Sequence, residues 1–319
     1  GFINLFYYIL ILFLWEANKM EKVGFIGLGI MGKPMVTNLY KAGVEVLVND
    51  MNEAVAHQME KDSNGLVKLV DKKTIGDECN IVMCILPTFD IVTSVLFGED
   101  GVAQHMKKGS VFVNFGSETA GQSKTHAEKL AALGVDFLDA PVSGGEPGAI
   151  KGTLSIMVGG KEEIFNKVKP YFDILGGSAV LIGNTGSGSV CKLVNQIIVN
   201  MNIATVGEAF TFAAKAGVDP VKVFNAIKGG LAGSQVLNDK VPMIVERNFV
   251  PGGTIKVNHK DIKNVLDTAH QIDAPVPLTA QLFEIQQACK VAGGFMDDHC
   301  GYVKYFERLA GVEVKKVEE

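Results

Sequence analysis

The feature that most constrains the fold is a glycine-rich turn placed between an apolar run and an amphipathic stretch. The turn reads Gly27-Leu28-Gly29-Ile30-Met31-Gly32. In this pattern the first glycine permits a tight bend, the second lets the backbone approach a pyrophosphate, and the third lets helix and strand pack closely. The pattern alone is weak, but here it joins a predicted strand, Val23–Leu28, to a predicted helix, Ile30–Ala42. That context indicates a dinucleotide-binding unit.

An acidic residue follows the next predicted strand, Val44–Asn49. Asp50 lies 23 positions after Gly27, near the ~20 expected for the carboxylate that binds the adenosine ribose hydroxyls. A carboxylate there would repel a 2′-phosphate, and Met51 beside it offers no cation. The sequence therefore predicts a preference for NAD(H), with NADP(H) still possible.

The rest of the chain falls into two patterns. From Met20 to about Asn184, apolar runs alternate with amphipathic stretches, as in βαβ units around a parallel sheet. Further strands are predicted at Asn80–Leu86, Ser110–Phe115, Val135–Asp139, Thr153–Val158 and Ala179–Ile182, and helices at Gln122–Leu133 and Glu162–Leu175. After Gly188 the pattern is helical, beginning with Val190–Lys215. We expect an α/β fold, with a Rossmann-type doubly wound sheet in residues 20–184 and an all-helical domain for substrate binding and oligomerisation in residues 185–319.

The first nineteen residues do not fit this scheme. Phe2–Trp15 is apolar except for Asn4, but it is shorter than the ~20 residues of a membrane span. It also lacks the basic start and cleavage site of a signal peptide. Because Met20 stands directly before the first predicted strand, residues 1–19 are interpreted as a non-native or start-site extension.

Charge and cysteine usage exclude several classes of partner. The formal net charge is -5, which does not favour nucleic acid or an anionic membrane surface. The five cysteines are scattered without metal-ligand spacing, so they are interpreted as reduced thiols of a cytoplasmic protein. No metal site, nucleic-acid partner or membrane partner is predicted.

Three later segments are hard to explain by packing alone. They are Asp139-Ala-Pro-Val-Ser-Gly-Gly145, Gly186-Ser-Gly-Ser-Val-Cys-Lys-Leu-Val-Asn195 and Lys260-Asp261. Lys192 and Asn195 are three positions apart, hence on one face of the predicted helix. Lys192 stands in an otherwise apolar run, an unusual place for a solvated lysine.

Together these motifs resemble the β-hydroxyacid dehydrogenase family, the relatives of 3-hydroxyisobutyrate dehydrogenase, over essentially all of Met20 to about Val314. The resemblance implies an oxidoreductase in which Lys192 is catalytic and Asn195 is its companion. It further implies a substrate loop and a set of residues beside the nicotinamide end of the cofactor. The loop is Ser143, Gly144 and Gly145, and the cofactor neighbours are Leu86, Pro87, Ser117 and Lys260.

One segment departs from the family pattern. The family shows Asp-x-Ser-Thr/Ser after the fifth strand, whereas this chain has Asn114-Phe115-Gly116-Ser117. Ser117 is expected to keep a hydroxyl contact to the cofactor.

The chemistry of aldehyde reduction fits the predicted lysine. Hydride addition to an aldehyde leaves an alkoxide, and an ammonium group can both donate a proton to it and stabilise its charge. We expect the pKa of Lys192 to be that of an ordinary lysine, ~10.4. Asn195 could orient Lys192 or the substrate hydroxyl, and backbone N–H groups of the loop could hold the substrate carboxylate. His259, Asp139 and the pair Asp297-Asp298 are predicted to be structural.

The substrate predicted from the resemblance is a small carboxylate semialdehyde, with a three-carbon semialdehyde acid favoured. Substrates related to 3-hydroxyisobutyrate, glyoxylate and succinic semialdehyde stay open, as does a non-catalytic scaffold. A 6-phosphogluconate dehydrogenase would need a longer chain and a histidine where Gln196 follows Asn195. Because the helix from Val190 is apolar around much of its circumference, a homodimer or homotetramer is expected.

Overall fold

Short runs of branched and aromatic residues build a sheet that is covered on both faces. A computed structural model describes residues 20–317, and the predicted extension, residues 1–19, lies outside the described residues. The strands are β1 Val23–Ile26, β2 Val46–Asn49, β3 Val67–Leu69, β4 Ile81–Cys84, β5 Val111–Asn114, β6 Asp136–Asp139, β7 Val142–Ser143, β8 Leu154–Gly159 and β9 Gly176–Gly183. Because successive side chains of a strand point to opposite faces, Phe25 joins one buried cluster and Ile26 the other.

The strand order is that of a doubly wound sheet. It runs β3-β2-β1-β4-β5-β6-β8-β7, with β9 paired to β8. The first six strands are parallel, whereas β8 runs antiparallel to β6 and β7. The chain reverses its direction of progress between β1 and β4, and in such sheets ligands bind at the carboxyl ends of the strands at this point.

Seven helices accompany the described part of the sheet. They are α1 Gly32–Lys41, α2 Glu53–Asp62, α3 Lys72–Glu78, α4 Phe89–Phe97, α5 Ala120–Ala131, α6 Gly145–Lys151 and α7 Glu162–Leu175. Several begin at a capping side chain; for α5, Thr119 and Gln122 form a reciprocal capping box.

The C-terminal region is helical around one long central element. Its helices are α8 Ser187–Lys215, α9 Pro220–Ile227, α10 Gln235–Val245, α11 Ile255–Gln271, α12 Pro277–Val291 and α13 Val303–Ala310. Helix α8 packs against α10, α11, α12 and α13, and its first turn also meets β8. It is the one helix within residues 20–317 that is long and apolar enough to cross a membrane by length and composition. Central helices of folded domains meet the same criteria, and α8 has this position.

The predicted fold class is confirmed: a Rossmann-type sheet precedes a helical region. The predicted helix Glu162–Leu175 has the same bounds as α7. The sequence reasoning missed β3, β7, α2, α3, α4 and α6. Strand β3 has three residues with Lys68 exposed at its centre, and β7 has two residues. Both are too short to show the alternation that identifies a strand.

Candidate active site

The glycine turn has the shape that a bound pyrophosphate requires. Gly27 has φ +100°, and a Cβ there would stand 2.5 Å from the Ile85 carbonyl oxygen. A Cβ on Gly32 would stand 1.9 Å from the Gly27 oxygen, whereas the space beside Gly29 is open. Helix α1 begins at Gly32 without a side-chain cap. An open glycine in front of an uncapped helix start suits a phosphate group, so the residues present fit a dinucleotide.

Asp50 lies against this turn. Its Oδ2 accepts a hydrogen bond from Leu28 N at 2.5 Å, and its Oδ1 accepts one from Asn52 N at 2.7 Å. The carboxylate is therefore fixed at the carboxyl end of β2, beside the turn. Its predicted role towards the ribose stays a prediction.

The Lys192 ammonium group meets the predicted substrate loop. Nζ of Lys192 donates a hydrogen bond to the Val142 carbonyl oxygen at 2.8 Å, one residue before Ser143. Gly144 and Gly145 follow with φ +129° and +59°, and Gly144 is exposed. The structure thus brings together the lysine and the loop, which are about fifty positions apart in sequence.

Asn195 is held by a neighbour to which the sequence analysis gave no role in the site. Its Nδ2 donates to Gln196 Oε1 at 3.0 Å, and Gln196 Nε2 in turn donates to Asp261 Oδ2 at 2.7 Å. Among the hydrogen bonds of residues 20–317, none joins Asn195 to Lys192. The signal that could have found Gln196 is its spacing, four positions after Lys192 and hence on the same face of the helix.

Lys260, Ser117 and Pro87 come together at the carboxyl ends of β4 and β5. Nζ of Lys260 donates to the Pro87 and Ser117 carbonyl oxygens, each at 3.2 Å, and Leu86 precedes Pro87 in the same connection. The Ser117 hydroxyl donates to Asp261 Oδ1 at 2.9 Å, and its expected contact to the cofactor stays a prediction. Asp261 therefore links the α/β region to both α8 and α11.

The departure at Asn114 has a structural counterpart. Oδ1 of Asn114 accepts a hydrogen bond from Gly116 N at 2.9 Å. A Cβ on Gly116 would stand 3.0 Å from that same oxygen. Asn114 and Gly116 therefore act as a pair that shapes the connection in front of Ser117.

A buried carboxylate holds the start of the lysine helix. Asp139, 1% exposed, accepts hydrogen bonds from Gly186 N at 2.7 Å and Ser189 N at 2.8 Å. These amides belong to the first turn of α8, which has no intrahelical acceptor for them. Burial raises the pKa of the Asp139 carboxyl, against the opposing effect of these amide hydrogen bonds. Asp139 fixes the end of β6 to the turn that precedes Lys192.

The expected pKa of Lys192 is wrong. Burial lowers the pKa of the Lys192 ammonium below the ordinary lysine value, the charge of Asp261 raises it in part, and Lys260 lowers it further. The sequence showed the apolar neighbours along α8. It did not show that the amine would meet the Val142 carbonyl oxygen.

The remaining polar candidates are structural in their contacts. His259 Nε2 lies 2.8 Å from Gln287 Oε1, and its ring packs 4.4 Å from that of Phe283 between centroids. Asp298 caps a short 3₁₀ turn by accepting from Cys300 N, and it also pairs with Lys240 at 3.0 Å.

Comparisons with known proteins agree with this geometry. A family model described as the NAD binding domain of 6-phosphogluconate dehydrogenase matches residues 22–183. A second, described as NAD-binding of NADP-dependent 3-hydroxyisobutyrate dehydrogenase, matches residues 186–306. The chain is 41% identical to the 2-hydroxy-3-oxopropionate reductase of Escherichia coli K12, over 91% of this chain and 98% of that protein.

Two further proteins extend the likeness. The 2-(hydroxymethyl)glutarate dehydrogenase of Eubacterium barkeri is 33% identical over 93% of this chain and 98% of its own length. A crystal structure of 3-hydroxyisobutyrate dehydrogenase from Salmonella typhimurium superposes with a TM-score of 0.81 at 26% identity, covering 90% of this chain and all of that one.

Fold, glycine turn and relatives define an oxidoreductase that acts on hydroxyl donors with a nicotinamide cofactor. Within that class the chain belongs to the β-hydroxyacid dehydrogenase family.

Proposed function

We propose that the protein reduces tartronate semialdehyde to glycerate, reversibly, with NADH, and that Lys192 is the general acid. The observation that carries the proposal is the hydrogen bond from Lys192 Nζ to the Val142 oxygen at 2.8 Å, because it sets an ammonium group at the loop Ser143–Gly145. The substrate follows the 41% identical relative, which is named for the same compound, 2-hydroxy-3-oxopropionate.

The reaction needs a proton at the aldehyde oxygen as hydride reaches the carbon. The reduced nicotinamide, when bound, supplies the hydride. Lys192 then protonates the developing alkoxide and stabilises its charge. The lowered pKa of Lys192 makes the ammonium a readier proton donor than an ordinary lysine. Asn195, oriented by Gln196, lies one helical turn further on for a hydrogen bond to a substrate oxygen.

The substrate carboxylate is assigned to the loop. Ser143 offers a hydroxyl, and Gly144 and Gly145 offer backbone N–H groups without covering side chains. A Cβ on Gly145 would stand 3.7 Å from the Gly252 oxygen, so the turn before α11 borders the loop.

The preference for NADH over NADPH rests on Asp50. Its carboxylate is fixed beside the glycine turn, and the adjacent Met51 is fully exposed and uncharged. The 2′-phosphate of NADPH would meet the fixed negative charge of Asp50, and Met51 offers no cation to balance it.

A related substrate is the second candidate. One structural neighbour is a 3-hydroxyisobutyrate dehydrogenase, and one methyl group changes affinity by only about 1–3 kcal/mol. The deciding test is a kinetic panel of tartronate, succinic and methylmalonate semialdehydes and glyoxylate, each with NADH and NADPH. The highest kcat/KM is expected for tartronate semialdehyde with NADH. A higher value for another substrate would replace this assignment.

Lys192→Met tests the proton donor. Turnover should fall by about 10²–10⁴-fold, with the dissociation constant of NADH unchanged, because the glycine turn lies elsewhere. Lys215→Met, the same substitution at an exposed lysine at the far end of the same helix, is the matched control. Near-normal turnover in Lys192→Met would exclude this lysine as the acid.

We also propose that the protein self-associates as a homodimer or homotetramer in the cytoplasm. Val190, Val194 and Ile198 are spaced four apart on α8, and 43–62% of each is exposed in the single chain. Three aligned apolar side chains form a stripe suited to a second copy. All five cysteines are free thiols, which is compatible with a reducing compartment.

A further inference from the structure

Two buried ionisable residues lie behind the active site and have no part in the proposed reaction. Glu118, 3% exposed, follows Ser117, and His126, fully buried, lies on α5. Glu118 Oε2 and His126 Nδ1 face each other at 3.5 Å, and neither atom has a hydrogen-bond partner within residues 20–317. Burying ionisable groups costs free energy unless they are paired. A function in the protein would therefore account for Glu118 and His126 at these positions.

The directions of the surrounding hydrogen bonds follow from the chemistry of a carboxylate. An ionised Glu118 can only accept, so the Ser123 hydroxyl donates to its Oε1 at 2.7 Å. Ser123 has then used its proton, so in the 2.9 Å contact between the two hydroxyls Ser189 is the donor. His126 Nδ1 stands 3.5 Å from Glu118 Oε2, and its Nε2 is hydrogen-bonded to the Thr93 hydroxyl at 2.8 Å. Two branches of contacts therefore meet at Glu118: one runs through Ser123 to Ser189, and the other runs through His126 to Thr93.

One branch reaches the helix that carries the lysine. Ser189 lies in the first turn of α8, three positions before Lys192, and thus on the same side of the helix. Its backbone N–H is held by Asp139 and its hydroxyl by Ser123. The amide contact fixes the position of the turn, and the hydroxyl contact adds a second point that fixes its rotation.

The other branch reaches the connection beside the nicotinamide end. The His126 ring stacks on Phe89 with 4.5 Å between centroids, and Phe89 stands two residues after Pro87. Thr93, bonded to the same ring, lies one turn further along α4. Glu118 therefore contacts, through one intermediate on each side, the segment at Pro87 and the helix of Lys192.

We propose that Glu118 is a positioning residue. It lies at the centre of a chain of contacting side chains, called the relay, that runs Ser189–Ser123–Glu118–His126–Thr93. The relay sets the position of the Lys192 ammonium relative to the Leu86–Pro87 connection. The inference rests on the proposed function, in which Lys192 gives a proton to the oxygen of a substrate whose carbon receives hydride beside that connection. If the relay is loosened, the site at Lys192 and the cofactor site each stay intact, but their relative position changes.

Ser123→Ala is the sharpest test, because it removes the middle hydroxyl and leaves both ionisable groups in place. Small misplacements of catalytic groups cost up to about 10²-fold, and we expect kcat to fall about tenfold while the dissociation constant of NADH changes less than about twofold. Thr125→Ala on the same helix is the control, since its hydroxyl bonds only to the Gly121 carbonyl at 2.9 Å. Wild-type kcat in Ser123→Ala overturns the proposal.

Coupling distinguishes a relay from independent packing effects. If Ser123 and Ser189 act as one link, the double alanine variant loses no more kcat than the more impaired single variant. Multiplied losses would show two independent effects and overturn the relay.

Rescue by a conservative variant separates hydrogen bonding from stability. Glu118→Gln keeps a carbonyl oxygen for Ser123 and should retain kcat within about threefold of wild type, whereas Glu118→Leu should fall about as far as Ser123→Ala. Equal kcat in the folded Gln and Leu variants would contradict the relay. If wild-type protein consumes no NADH with any semialdehyde of the panel, the proposed function fails; an active wild type with an unaffected Ser123→Ala variant refutes the relay alone.

Discussion

Gly188→Ala should disable the enzyme without touching any group that meets substrate or cofactor. Gly188 lies in the first turn of α8, where the helix meets the sheet edge. A Cβ there would stand 2.3 Å from the Met157 oxygen, 2.7 Å from the Asp139 oxygen and 2.8 Å from Gly159 N. All three neighbours are backbone atoms of paired strands or of their ends, so none can turn aside as a side chain would.

The size of the displacement follows from these distances. Ordinary contact begins at 3.4 Å, so the helix start must retreat by about 1 Å from the Met157 oxygen. Overpacking of this kind costs about 1–3 kcal/mol of stability. Lys192 lies one turn further along the same rigid helix and must move with it. A misplacement of about 1 Å at a catalytic group costs about 10²-fold in rate.

The assay is loss of NADH absorbance with tartronate semialdehyde, together with NADH binding and thermal unfolding. We expect kcat to fall about 10²-fold, NADH affinity to stay within about twofold, and the protein to remain folded. Gly121→Ala in the first turn of α5, where a Cβ would come no closer than 3.9 Å to any neighbour, should behave as wild type. A folded Gly188→Ala variant with more than half of the wild-type kcat would refute the argument that this contact sets the position of Lys192.

Three other perturbations test separate parts of the site. Replacing Asp50-Met51 by Asn-Arg should move the ratio of kcat/KM towards NADPH, because it removes the repelling carboxylate and adds a cation; an unchanged ratio would remove Asp50 from cofactor selection. The rate of reduction should fall as pH rises through the pKa of Lys192, since the protonated form is the acid, and the lowered pKa places this fall at a lower pH than an ordinary lysine would; a rate that holds to the usual lysine range would contradict it. Changing Val194 and Ile198 together to Glu should lower the mass measured by light scattering to that of a single chain, and an unaltered mass would place the contact elsewhere.

The fold could be predicted from the sequence wherever a hydrophobic pattern extended over enough residues to identify an element. The glycine turn, the alternation up to Asn184 and the helical texture after Gly188 identified the architecture, and α7 was predicted to the residue. The elements missed are short or carry weak periodicity. The exposed Lys68 at the centre of β3 gives that edge strand no apolar run.

The candidate site was predictable as a set of segments and not as a network. The family motifs pointed to Lys192, to the loop and to Lys260, and in the structure Lys192 bonds to Val142, just before the loop, and Lys260 bonds to Ser117. Hydrogen bonds such as those of Gln196 and Asp261 depend on side-chain directions across two helices and a strand end. Sequence spacing carries no such information over 65 positions.

The surroundings of Lys192 explain how the proposed general acid can be protonated at the start of the reduction and still release its proton readily. The ion pairs formed within residues 20–317 do not include Lys192; its amine instead donates to a neutral carbonyl oxygen. A carboxylate in direct contact would hold the proton and raise the pKa, which would make the ammonium a poor donor. Burial alone would favour the neutral amine, which has no proton to give at the start of the reduction. Asp261 is hydrogen-bonded to Gln196 and Ser117 and acts on Lys192 through its charge. It partly offsets the effect of burial on the pKa of Lys192, but among the hydrogen bonds of residues 20–317 it accepts none from the ammonium group. The same geometry serves the reverse reaction, because an amine whose pKa has been lowered is more readily available as the base that accepts the proton of the hydroxyl group.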